Sequence, residues 1–413
     1  MRIVFIHPNF PAQFRHLAGY LGRNPENDVR FITADSRPEW EIPGVKKIVY
    51  QTLALKDPLT IPVIKQCAAN QQQAEAVAGV LIALSRQQFV PDLIVGASGW
   101  GATAYVKDVF PKTPFLGYFE WYYHGGSPNV GFAEKQPPVL KERMVLRNRS
   151  LSILSDLTAC DHGICPTQWQ KAQFPEIFHS KLSVCHEGIN TAFFKPDHRK
   201  KLALPGLDLS GAKELVTYTA RGFEPYRGFP GFIQSIPFLL EKRPDAHVVL
   251  VGEDRVCYGR ELANGQGYKE FMTQKVDLDP ARVHFLAPLP YGLYLNVLQA
   301  STVHVYLTVP FVLSWSMLEA MACGCLVAAS DTPPVREVVQ DGANGVLVDF
   351  FSPRKIAQKV AACLEYPSFM APIRQKARQT ILDRFDLNRM LKRQMGILAQ
   401  MISQQPGEPR RFG

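Results

Sequence analysis

Residues 303–329 read VHVYLTVPFVLSWSMLEAMACGCLVAA. The opening five residues form a short β-branched and aromatic run, the composition of a strand buried on both faces. A loop containing Pro310 leads into a good helix-forming run, and Gly324 stands where a helix C-terminus favours a residue free to take positive φ. Residues 325–329 (CLVAA) are strand-like again. Strand, helix, strand in that order is the βαβ unit of a parallel sheet.

The same rhythm extends outward. Upstream lie LVTYTA (215–220), a helical spacing over 229–240, HVVLV (247–251) and VHFL (283–286). The first half repeats it with RIVFIH (2–7), a helical stretch over 14–21, VRFIT (29–33), DLIVG (92–96) and PFLGYF (114–119). A polar, basic break, KPDHRKKLALPG (195–206), separates the two series. The spacing predicts an α/β protein of two doubly wound domains, 1–197 and 198–380. Residues 389–401 (RMLKRQMGILAQM) repeat apolar residues at intervals of three and four, an amphipathic helix. The Gly/Pro/Arg-rich tail 404–413 reads as frayed.

Composition narrows the function. The chain has 413 residues, 46% apolar and 20% charged, enough for sizeable cores and too apolar for a disordered chain. Its most apolar run, VAGVLIAL (77–84), falls far short of the roughly 20 residues of a bilayer-crossing helix. The net charge, 46 − 37 = +9, favours an anionic ligand or surface. Nucleic acid is not expected, because the basic residues are spread out and no aromatic-basic RNA signature occurs. Eight cysteines include no CxxC pair, which argues against zinc. No GxGxxG follows the first strand of either half and no GxxxxGK[ST] occurs, so a dinucleotide-dependent redox enzyme and a P-loop ATPase fall away. The start, MRIVFIHPNF, reads as strand and loop rather than as a signal peptide, which places the expected compartment in the cytoplasm.

Ligands of doubly wound sheets gather beyond the carboxyl ends of the strands. After LVTYTA comes RGFEPYRG (221–228), whose Arg221 and Arg227 can converge on one polyanion through guanidinium forks. In the opening stretch, Ser314 or Ser316 reads as an N-cap, and the free N–H groups of that helix start form an anion site. Glu319 follows about one turn inside, within reach of a ligand's vicinal hydroxyls. A small acidic turn, VGED (251–254), follows HVVLV.

LEAMACG (318–324), continued by CLVAASDTPPVREVVQDGANGVLV (325–348), resembles the signature of the retaining glycosyltransferases of family 4. The likeness is strongest over 215–352. In the first half it rests on MRIVFIHPNF, CDHGICPTQWQ (160–170) and HEGINTAFFKPD (186–197). The resemblance implies the GT-B fold, two Rossmann-like doubly wound domains facing a central cleft, with 381–413 crossing back to the N-terminal domain. The C-terminal domain would bind an NDP-sugar and the N-terminal domain an acceptor, with retention at the anomeric carbon. Arg221 then stands where the family holds the diphosphate, and Arg227 where it usually has Lys. Glu319 matches the second glutamate of E-x7-E, which contacts the ribose. Ser314, Trp315, Ser316, Met317 and Leu318 match the stretch whose backbone amides meet phosphate and sugar, and Gly222 and Glu253 join the donor side.

The sequence departs from the family at several positions. Phe311 occupies the place of the first E-x7-E glutamate. Where the family often has a histidine after PFLGYF, this chain has Glu120, with Trp121 next and His124 four residues after Glu120. His7, Asn9 and Phe10 fill the loop that often holds Gly-Gly. These departures suggest that Glu120 supplies a carboxylate contact that Phe311 cannot. They make Trp121, His124, His7, Asn9 and Phe10 acceptor-side candidates. With two arginines and a helix start against the diphosphate, no metal or cofactor is expected. The acceptor class stays open among a glycan, a lipid-linked and a small molecule, in cell-envelope, polysaccharide or glycoconjugate synthesis. KERMVLRNR (141–149) reads first as a solvated basic helix and second as a peripheral contact with anionic membrane. Two rival readings keep the fold: a non-catalytic nucleotide-binding or partner subunit, which Phe311 favours, and a sugar-nucleotide epimerase.

Overall fold

The computed structural model describes residues 1–52, 62–197 and 199–403. The chain folds into two compact units. The first holds residues 1–127, 138–188 and the chain from Asn388 on; the second holds 128–137 and 189–387. The division at Gly188/Ile189 corrects the expected one at 197/198, and the assignment of 128–137 to the second unit was not foreseen. The tail 404–413, read above as frayed, lies outside the described residues.

The first unit is built on a seven-stranded parallel sheet of β1 (Arg2–Ile6), β2 (Asp28–Thr33), β3 (Val45–Val49), β4 (Leu93–Ala97), β5 (Phe115–Tyr118), β6 (His162–Cys165) and β7 (Leu182–Val184), in the order 3-2-1-4-5-6-7. Alternate residues serve opposite faces. Val4, Ile6 and Ile94 pack with Val77, Leu81 and Leu84 of the helix Pro62–Arg86. On the other face Phe5 meets Phe14 and Phe31 at centroid distances of 5.4 and 6.0 Å. The helix Leu387–Ser403 buries Met390, Leu391, Gln394, Leu398 and Met401 in one stripe. Its Gln394 Nε2 donates to His186 O at 2.9 Å.

The second unit includes an antiparallel hairpin, β8 (Leu202–Leu204) and β9 (Leu207–Leu209), whose first strand lies inside the segment read as a break and whose second follows it directly. Its parallel sheet comprises β10 (Glu214–Gly222), β11 (Ala246–Glu253), β12 (Val283–Leu286), β13 (Val303–Tyr306), β14 (Leu326–Ser330) and β15 (Val346–Val348), in the order 12-11-10-13-14-15. On β14, Leu326 and Ala328 face the core shared with Phe232, Ile356 and Val360, while Val327 and Ala329 face Met317, Met321 and Ile381. Both faces are therefore covered, as an all-parallel sheet requires. In each sheet the strand order reverses beside the first strand, between β1 and β4 and between β10 and β13. That reversal opens a crevice beyond the carboxyl ends of the strands. No helix among the described residues is long and apolar enough to cross a membrane.

Candidate functional site

The crevice of the second unit is bounded by the segments leaving β10 and β13. At the end of β10, Gly222 allows a close approach: a Cβ there would lie 2.4 Å from Arg255 O. Phe223 then enters the core, and a 3-10 turn, Pro225–Arg227, passes through Gly228 (φ +63°) into the helix Phe229–Lys242. Only glycine takes that left-handed step at no steric cost. The turn carries Arg227 inward, to 7% exposure.

Arg227 is held by neutral groups. Its Nη1 donates to Tyr306 Oη at 3.1 Å, Thr308 Oγ1 at 2.9 Å and Val312 O at 3.1 Å. Its guanidinium carbon lies 5.2 Å from the centre of the Tyr258 ring. Among the described residues no carboxylate forms an ion pair with it. The buried Glu224 carboxylate acts on it only through space, and a buried cation with no directly paired anion is costly unless one joins it. Arg221, by contrast, is exposed and makes no hydrogen bond or ion pair among the described residues. The two guanidiniums thus occupy different environments, one fixed and buried, the other free in solvent.

Tyr306 connects this cation to the helix Trp315–Ala322. Its hydroxyl oxygen also accepts from Ser314 N at 2.8 Å. Ser314 is the N-cap, its Oγ accepting from Ser316 N at 3.3 Å. The first N–H groups of a helix have no intrahelical partner. Ser314 N and Ser316 N are engaged, and the Met317 N–H is among those with no intrahelical acceptor, a donor for an anion. Trp315 and Ser316 are half-buried. The side chains of Met317 and Leu318 belong to the core, and Leu318 lies one residue too deep for its N–H to be open. Their expected donor-side role therefore reduces to the backbone of Met317. Glu319, 6% exposed, accepts from Tyr294 Oη at 2.9 Å. Burial, reinforced by this carboxylate, pushes the Tyr294 hydroxyl well above its usual range, so the phenol stays a donor.

Two further features of this unit escaped the sequence reading. Glu224 is 0% exposed. Its carboxylate accepts from the backbone N–H groups of Cys257 (3.1 Å), Tyr258 (3.1 and 3.2 Å) and Gly259 (2.7 Å), clamping the segment after β11. Phe311 is buried between Tyr226 and Tyr258, with both centroid distances 5.6 Å. The position expected to lack a carboxylate is thus the centre of an aromatic cluster. Glu253, expected on the donor side, is half-buried and paired with Arg255.

In the first unit, His7 is buried, and its Nδ1 accepts from Asn9 N at 2.9 Å. Burial pushes its pKa down to about 4, so the ring is neutral near pH 7. Asn9 is exposed. Phe10 is core, set edge-on to Phe31 at 4.8 Å, and Trp121 is buried 6.5 Å from Trp169. Both were expected on the acceptor side, and both are filled by packing instead. Glu120 Oε1 accepts from Gln13 Nε2 at 3.3 Å, and its backbone carbonyl accepts from Gln170 Nε2 at 2.7 Å. His124 Nδ1 accepts from Gly126 N at 3.2 Å, and burial lowers its pKa. The segment after β4 carries an exposed Trp100, 6.4 Å from His7. Beneath it, buried Asp156 accepts from Ser98 Oγ (2.7 Å) and Thr103 Oγ1 (2.8 Å). No group of three or more His, Cys, Asp or Glu able to hold a metal occurs among the described residues.

Comparison with known proteins places this geometry. Residues 25–194 match the model of the glycosyl transferase family 4 group, and residues 207–380 that of glycosyl transferases group 1. A D-inositol 3-phosphate glycosyltransferase of Thermobispora bispora is 24% identical over 218 residues, 52% of this chain and 50% of that one. The match thus spans about half the length of that curated relative. Among solved structures, Anabaena HepE in complex with UDP-glucose aligns with a TM-score of 0.70 at 17% identity, covering 97% of this chain and 100% of the other. Sucrose-phosphate synthase from Thermosynechococcus elongatus gives 0.71 at 17% identity, over 98% and 99%.

Proposed function

The chain belongs to the family 4 group of glycosyltransferases, with the GT-B fold, and on that premise we propose that it moves a sugar from an NDP-sugar to an acceptor hydroxyl with retention at the anomeric carbon. The observation that carries this reading is Arg227, a buried cation whose hydrogen-bond partners are all neutral, joined through Tyr306 to a capped helix start. Departure of the sugar leaves negative charge on the diphosphate. Arg227 and the Met317 N–H stabilise that charge as it develops, and exposed Arg221 adds to them from the solvent side; such pre-set electrostatics is usually the largest catalytic contribution. Glu319, braced by Tyr294, accepts from the ribose hydroxyls. With the diphosphate met in this way, no metal is required. Glu120 supplies a carboxylate for turnover from the first unit, whose role is to take the acceptor.

The test is direct. The purified chain is incubated with UDP-glucose (the sugar nucleotide bound by Anabaena HepE), GDP-mannose or ADP-glucose, with and without acceptors, while nucleotide release and product anomer are followed. Release or transfer with one donor and an α-linked product from an α-donor support the reading. No turnover with any donor, together with nucleotide binding, favours the second reading, a nucleotide-binding subunit, for which the Phe311 cluster speaks. Replacing Glu120 by Gln lowers turnover tenfold or more on this proposal; an unchanged rate removes Glu120 from it. A role in polysaccharide or glycoconjugate synthesis accompanies the reading. Contact with anionic membrane is proposed for the helix Leu140–Arg149, where Lys141, Arg143 and Arg147 are exposed beside exposed Leu140 and Met144. Sedimentation with anionic liposomes that is lost at high salt tests it.

A further inference from the structure

Residues Pro128–Pro137 lie in sequence between two stretches of the first unit, yet they pack with the second. Phe132 sits edge-on to Phe350 at 5.4 Å and tilts over Phe351 at 5.0 Å, and the Lys135 ammonium lies 4.4 Å from the Phe351 ring centre. The arm turns back on itself where Gln136 N donates to Gly131 O at 2.9 Å. Gly131 has φ +71°, and a Cβ there would lie 1.7 Å from Gln136 O, so the turn admits only glycine. The arm is therefore a fixed part of the second unit, able to hold a side chain in place.

The side chain it holds is Asn129, 3% exposed. Its Nδ2 donates to Tyr226 Oη at 3.0 Å, while its Oδ1 is buried with no hydrogen-bond partner among the described residues. Reading the amide the other way round exchanges the roles of its two arms and still leaves one polar atom unmatched. Buried polar atoms without partners are rare in folded proteins, and each calls for a reason, a partner from outside the chain among them. The surroundings identify the place. The Tyr226 ring touches Phe311, Phe311 touches Tyr258, and the Tyr258 ring lies under the Arg227 guanidinium. Asn129 thus stands at one end of an aromatic cluster whose other end is the anion cradle.

We propose that Asn129 is a specificity residue for the sugar carried by the nucleotide. Its carboxamide oxygen accepts a hydrogen bond from a ring hydroxyl. The Tyr226 hydroxyl oxygen accepts from the Asn129 amide and so fixes the direction in which the carboxamide oxygen points. Phe311 offers no polar atom and gives the C–H face of the ring an apolar surface, so the polar recognition of the sugar falls to Asn129. The inference rests on the NDP-sugar reading above and adds to it a residue that reads the sugar.

Calorimetry on the full chain tests it, with UDP and UDP-glucose, GDP and GDP-mannose, and ADP and ADP-glucose as paired probes. Asn129→Ala leaves the affinity for the bare nucleotide within about twofold and weakens the matching sugar nucleotide five- to tenfold, the scale of one neutral hydrogen bond. Asn129→Asp keeps an acceptor and retains most of the sugar affinity. Tyr226→Phe shifts the same ratio in the same direction and carries the test if Asn129→Ala does not fold. Equal weakening of both ligands, no change in either, or a parent chain that binds both members of a pair alike overturns the assignment of Asn129 and leaves the nucleotide site standing. A parent chain that binds no nucleotide at all refutes the underlying site, and this inference with it.

Discussion

Replacing Glu224 by Gln tests the clamp that shapes the second unit's crevice. The carboxylate is fully buried, and its two oxygens take the N–H groups of Cys257, Tyr258 and Gly259 at 2.7–3.2 Å. A glutamine keeps one oxygen and sets an NH2 against an N–H that then has no acceptor. One charge-assisted bond is lost, at about 1.5–3 kcal/mol, and those that remain weaken as the acceptor becomes neutral. A total near 3 kcal/mol follows, which for a unit of this size lowers Tm by roughly 6–12 °C. Differential scanning calorimetry measures it. Nucleotide affinity falls as well, because the clamp sets Tyr258 under Arg227. A Glu224→Gln chain that melts within about 1 °C of the parent and binds nucleotide equally well would show that the carboxylate does not hold this segment.

Three other outcomes follow from the same geometry. Glu319→Ala removes the acceptor braced by Tyr294 and weakens a nucleotide and its sugar derivative by the same factor, about tenfold; calorimetry showing loss for the sugar derivative alone would contradict the ribose role. Burial raises the Asp156 carboxyl from 3.8 to about 6, against the Ser98 and Thr103 hydroxyls. The folded chain holds that proton more tightly than the unfolded chain does, so the contribution is full below pH 3.8 and is lost as the pH rises through about 6. Asp156→Asn therefore removes up to about 3 kcal/mol of pH-dependent stability, and urea melts on either side of that window that keep the parent's slope would refute it. Chelator leaves turnover unchanged, and a loss restored by Mg²⁺ or Mn²⁺ would contradict the metal-free mechanism.

The parallel strands of both sheets were legible wherever a strand is buried on both faces, as at residues 303–307 and 325–329, because an unbroken apolar run is then the whole signal. Polar or very short strands gave none: β3 reads VKKIV, and β7 has three residues. The hairpin of β8 and β9 was written plainly, Leu202, Leu204, Leu207 and Leu209 alternating about Gly206 (φ +80°), but the surrounding lysines made it read as linker. In the site, Ser314 and Glu319 could be placed because capping and helix pitch are local rules. Glu224 could not, since the amides it holds lie 33–35 residues away in sequence. Phe10 and Trp121 show the converse. An aromatic just past a strand end reads the same whether it faces a ligand or the core, and only the partners Phe31 and Trp169 decide.

The account turns on a buried arginine awaiting a diphosphate. Calorimetric titration of the purified chain and of Arg227→Met with UDP-glucose, GDP-mannose and ADP-glucose measures that most directly. The parent binds one of them, and the variant loses at least tenfold in affinity for it, the worth of one charge-assisted hydrogen bond. Absence of heat with all three, or a variant that binds as tightly as the parent, would contradict it.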